Sequence, residues 1–177
     1  MSAANACAIM ADRPVLIIDV ADERWNSLSG LEDLCLAATS AVLTRALPQI
    51  DSARFEIGLT FINDPAVQAL NREYRGKDKP TNILSFQLIT DFDALPDAAP
   101  ILLGDLVLAY ETITAEASHQ ELSFAHHCTH LIVHGMLHLL GYDHIDDAEG
   151  DAMERLEVEI LAGLGIGNPY IGLTSIV

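Results

Sequence analysis

The stretch HGMLHLLGYDH sets a glycine, Gly141, where a helix has to stop, with histidines on both sides of it. His134 and His138 are four residues apart, so on a helix their imidazoles share one face, about 6 Å apart along the axis. Gly141 is able to take the left-handed conformation that ends a helix, and the reversing chain then carries His144 back over that face. Three imidazoles grouped this way can hold one metal ion and leave a fourth position open, as catalytic zinc sites do. The other histidines of the region, His126, His127 and His130, read as packing residues.

A chain of 177 residues, half of them apolar, is enough for one domain with a full core. Residues 1–13 and 165–177 are expected to be irregular tails. The first twenty residues have no basic start, and Asp12, Arg13 and Pro14 break their apolar run. Neither a signal peptide nor a membrane span is expected, which places the protein in the cytoplasm. Cys7, Cys35 and Cys128 are odd in number and lack paired metal spacing, so they read as reduced thiols filling the core.

Nine basic residues against twenty-six acidic ones give a net charge of −17, which argues against non-specific binding to duplex DNA. Four of the cations, Arg72, Arg75, Lys77 and Lys79, nevertheless fall inside NREYRGKDK. Screening over about 8 Å at physiological salt lets such a patch act independently of acids on the far side.

Val15 to Val20 reads as a strand. Ser29 and Glu32 form a capping-box signature for a helix running to about Leu47, where Pro48 ends it. Phe55, Ile57, Leu59 and Phe61 alternate as in a half-buried strand. A helix follows, with Asp64 as its cap and Pro65 in its first turn, reaching about Tyr74 before Gly76 stops it. Thr81 to Gln87 and Ile101 to Tyr110 read as strands, joined by the loop DFDALPDAAP, which is long enough to be mobile. Helices are expected over Glu111 to about Ser118, Leu122 to Leu140, and Asp147 to Leu161, the last with Met153, Leu156, Ile160 and Leu161 inward and its acids outward. The order of elements predicts an α+β domain: a small mixed sheet of about four strands packed with about five helices.

Three neutral nitrogen donors suit a single zinc ion best, although nickel or copper can compete. Without an anionic ligand the ion keeps its charge undiluted, which favours activating water near neutral pH against an electrophilic carbonyl or phosphorus. The spacing also matches the metalloprotease pattern HExxHxxGxxH, except that Gly135 stands where those enzymes carry their glutamate base. Peptide hydrolysis by that mechanism is therefore not expected. Asp143 either orients a ligand or takes a proton, or else caps the following helix or faces solvent.

HGMLHLLGYDH, together with NREYRGKDKPTNILSF and LGDLVL, resembles the bacterial YbeY family of metal-dependent, single-strand-specific endoribonucleases. The likeness covers about Phe55 to the NPY segment at 168–170. It implies that His134, His138 and His144 are zinc ligands, with His134 and His138 counted among the catalytic residues. It also implies that Arg75 meets RNA phosphate or developing charge, and that His130, one turn before the first ligand, acts behind the ligands or in packing. Gln87 departs from the family's usual proline, and Met136 fills a variable position. The implied role is maturation of ribosomal RNA, at the 3′ end of 16S, and ribosome quality control. Its partners would be single-stranded ribosomal RNA and the small subunit with its proteins. A different class of function is a non-catalytic ribosome-assembly factor in which zinc only braces the fold.

Overall fold

The computed structural model describes residues 13–92, 94–95, 99–143 and 147–170. Phe55, Ile57, Leu59 and Phe61 alternate with polar or small neighbours, and a strand turns alternate side chains to one face. All four are fully buried in β2 (Phe55–Ile62), the central strand. Parallel to it run β1 (Val15–Val20) and β4 (Ile101–Ala109) on either side, and β3 (Ile83–Gln87) pairs antiparallel with β4. The order is β1-β2-β4-β3, a mixed sheet of four strands. Five helices accompany it: α1 (Leu31–Ala46), α2 (Asp64–Arg75), α3 (Tyr110–His119), α4 (Phe124–Leu139) and α5 (Asp147–Gly163). The α+β class expected from the sequence is the one observed.

Helix α4 is apolar on most of its circumference because it is surrounded. It packs on α1, α3, α5, β3 and β4, and buries Leu131, Ile132, Val133, Met136, Leu137 and Leu139. At Gly135 the helix comes close to the sheet. A Cβ there would lie 2.8 Å from both Ile83 Cδ1 and Leu106 Cδ2, so the helix rests on the sheet through bare backbone. The remaining strip of α4, carrying His130, His134 and His138, is left only partly covered.

Trp25 closes the opposite end of the core. It is fully buried, donates its indole N–H to Ile62 O at 3.1 Å, and meets Phe61, Tyr110 and Phe124 ring to ring. Cys35 and Cys128 are free and buried, and burial pushes the Cys35 thiol up to about 12, as fits core filler. Cys7 lies outside the described residues.

Three local expectations are corrected. The Ser29 capping box does not form: Gly30, at φ 73°, is the N-cap of α1 and makes no side-chain cap. Asn63, not Asp64, caps α2, its Oδ1 accepting from Ala66 N at 3.0 Å. Asp64 is one residue inside and turned toward α3, where it accepts from Thr112 N and Oγ1 at 3.0 and 2.8 Å. In α5 the acids do not all face outward, since Glu157 is completely buried. The mobility expected of DFDALPDAAP falls in part on residues 93 and 96–98, outside the described residues.

Candidate metal centre

Helical periodicity sets His130, His134 and His138 one above another on α4. The Nε2 atoms of His134 and His138 are 3.1 Å apart. Each ring turns its other nitrogen to a fixed acceptor: His138 Nδ1 lies 2.9 Å from Tyr142 O, and His134 Nδ1 lies 3.3 Å from Glu157 Oε1. A carbonyl or carboxylate beside Nδ1 favours the tautomer that carries its proton there and directs the lone pair to Nε2. With that tautomer in both rings, the facing Nε2 atoms are a pair of donors for one shared cation. Bonds of 2.0–2.1 Å at a tetrahedral angle would place two ligand nitrogens about 3.3 Å apart, close to the observed spacing. The donor pair therefore fits zinc.

The helix stop works as its sequence demands. Gly141 takes φ 86°, its N–H closes on His138 O at 3.0 Å, and Tyr142 N closes on Leu137 O at 3.1 Å. This reversal is what brings the Tyr142 carbonyl back against the His138 ring. His144 lies outside the described residues, and among the described residues no three potential ligands gather into one metal-holding group.

Arg75, the last residue of α2, reaches the same place from the other side. Gly76 ends that helix at φ 67°, and buried Asn71 donates from Nδ2 to Lys79 O at 2.8 Å, so the basic loop is tied down at both ends. Arg75 Nη2 donates to Ser85 O at 3.2 Å. Together with Ser85, Gln87, His138, Gly141, Tyr142 and Asp143 it lines a cleft of about 250 Å³. The structure thus brings Arg75 and His138 to one cleft, with Asp143 and Gln87 on its wall. Arg72 is engaged elsewhere, 3.6 Å from Asp78 in an exposed pair that contributes little. Exposed His126 and buried His127 stay apart from the facing nitrogens, and His127 Nε2 pairs with Glu116 at 2.8 Å.

A family model described as Endoribonuclease YbeY matches residues 23–165. The chain belongs to that family. It is 54% identical over 156 residues to the Endoribonuclease YbeY of Paramagnetospirillum magneticum, covering 88% of this chain and 94% of that one. The Chromohalobacter salexigens protein of the same name is 49% identical over 159 residues, 90% of this chain and 96% of its own. A solution structure of a Thermotoga maritima protein shares the fold at a TM-score of 0.53 and 20% identity, over 85% of this chain and 92% of that one.

In this YbeY chain the residues that sequence reasoning missed stand behind the histidines. Glu157 Oε1 lies 3.1 Å from His130 Nε2 as well as 3.3 Å from His134 Nδ1, and Tyr170 donates its hydroxyl to the other carboxylate oxygen. Burial by itself would raise the Glu157 carboxyl, but the close His130 and His134 rings and the Tyr170 hydroxyl together outweigh it and hold the group down at about 2. Tyr170 is fixed in turn by its N–H, which donates to Asn168 Oδ1 at 2.8 Å. One signal of Glu157 was legible: Met153, Glu157, Ile160 and Leu161 fall at spacings of four and three, so an acid occupies the apolar seam of α5.

Proposed function

We propose that this chain is a zinc-dependent endoribonuclease that cuts single-stranded RNA, with His134, His138 and His144 holding one ion and Arg75 binding the phosphate. The observation that carries the reading is the pair of Nε2 atoms 3.1 Å apart, in a chain whose relatives bear the name endoribonuclease. When bound, a divalent cation supplies Lewis-acid polarisation of a phosphoryl oxygen and a source of nucleophile at neutral pH. The chain's own groups do the positioning. The Tyr142 carbonyl and the Glu157 carboxylate fix the two imidazoles, and Ser85 O steadies a guanidinium whose fork suits two phosphate oxygens at once. The biological role in this reading is maturation of the 16S ribosomal RNA 3′ end and ribosome quality control in the cytoplasm, with the small subunit and its proteins as partners. Among the described residues no helix is long and apolar enough to cross a membrane.

Elemental analysis beside RNA cleavage, with and without chelator, tests the reading directly. His138→Ala is expected to lose both stoichiometric zinc and cleavage, whereas Arg75→Glu keeps the metal and loses cleavage. Full activity of metal-free His138→Ala protein would falsify it. With at most four local cations, the log–log salt dependence of RNA binding is expected to be no steeper than about −3.

A further inference from the structure

Further toward the start of α4 than the Arg75 cleft, along the row of histidines, the surface opens into a second cavity. Its larger part, about 390 Å³, lies between the α3–α4 turn and the chain that follows α5. A smaller part of about 250 Å³ reaches His134. Both have Gln120, His130 and Pro169 in their walls, so the two adjoin and lead from the candidate ligand toward the turn.

The chemistry here differs from that of the Arg75 cleft. Among the described residues no lysine or arginine lines either part, so a phosphate would find no permanent countercharge there. Leu122, Ile166 and Pro169 offer apolar contact, beside hydrogen-bonding side chains at Gln120, Glu121 and Asn168. An unstacked nucleobase asks for that combination, apolar contact on its faces and polar partners along its edge. A base still stacked in a duplex cannot enter such a cavity.

Glu121 adds an independent sign. Among the described residues it is the one non-glycine with positive φ, 56°. It follows the C-cap of α3, where Leu122 N closes back on Ala117 O at 2.9 Å, a turn that favours glycine. A side chain kept in a strained conformation on a cavity wall is a mark of use.

We propose that this cavity is a base-binding subsite for a nucleotide beside the scissile phosphate, with Glu121 and Gln120 reading the base edge. The inference rests on the endonuclease reading of the adjacent histidines. A carboxylate only accepts hydrogen bonds, and guanine presents two N–H donors side by side on one edge, so guanine is the base it fits best.

Two measurements test this. Guanosine and uridine are titrated at millimolar concentration into the full-length zinc-loaded protein and followed by NMR. Guanosine is expected to shift the resonances of Gln120, Glu121 and Asn168, and uridine to shift them several-fold less. Single-stranded oligonucleotides that differ only in the base beside the cut are then cleaved. The wild-type protein is expected to show a KM at least fivefold lower with guanine than with uracil, and Glu121→Ala is expected to erase that difference while keeping its zinc. Equal shifts from the two nucleosides, or a guanine preference that survives in both Glu121→Ala and Gln120→Ala, would overturn the proposal. Should the zinc-loaded protein cut no RNA at all, the endonuclease reading fails, and the guanosine titration alone still decides whether the cavity binds a base.

Discussion

His127 and His134 stand seven residues apart on α4, and each lends one ring nitrogen to a glutamate, yet they offer opposite ends. His127 commits Nε2 to Glu116, and its Nδ1 is buried without a hydrogen-bond partner among the described residues. His134 commits Nδ1 to Glu157, which leaves Nε2 opposite His138 in the cleft. The difference teaches that a histidine–carboxylate pair is not in itself a sign of a site. Which nitrogen is tied decides whether the other faces packed protein or an open cleft.

Removing each carboxylate in turn sharpens that contrast. Glu157→Leu frees the His134 ring and is expected to weaken zinc binding by about 10–100-fold, read by competition with a chromophoric chelator. Glu116→Leu is expected to leave zinc affinity within about twofold while lowering stability by about 1–3 kcal/mol in urea unfolding, because it strands a buried ring nitrogen. Equal losses of zinc in both variants would break the distinction.

Acid adds a further test at the structural pair. Burial works to raise the Glu116 carboxyl, but hydrogen bonds from His127 and Asn82 prevail and lower it below the usual carboxylate range. A depressed native pKa stabilises the fold above the unfolded value, about 4.3, and that contribution disappears as the pH falls through the native value. The stability gap between wild type and Glu116→Gln is therefore expected to be constant at neutral pH and to narrow below about pH 4. The smallest effect is expected from Tyr170→Phe, which removes one donor from Glu157 and should weaken zinc binding about two- to tenfold by the same chelator competition.

Much of this architecture could be read from the chain. The bounds of β1 were legible because Asp12, Arg13 and Pro14 precede an apolar run that ADER ends, and α4 because apolar periodicity, a stop glycine and paired histidines agree. Arg75 was singled out as a candidate only through resemblance, since an exposed cation on a basic loop looks like any solvated charge until β3 brings Ser85 beneath it. Caps were harder. Asn63 and Asp64 are both good N-cap residues, and the choice was made by Thr112, a residue 48 positions away that claims the Asp64 carboxylate. Glu157 was missed because charge was weighed over position. Its acid falls on the apolar seam of α5, where a buried carboxylate needs partners that only the folded chain supplies, from α4 and the Asn168–Tyr170 turn.

The bare backbone at Gly135 has a consequence for what this scaffold can become. A glutamate at that position would complete the metallopeptidase sequence HExxH, but it would have to wedge a carboxylate between α4 and the side chains of Ile83 and Leu106. Making room would push aside the terminal methyl groups of Ile83 and Leu106, directly beneath the turn of helix that carries the two imidazoles. A single codon change would therefore supply the missing base of that motif only together with a rearrangement of the bed in which the helix lies.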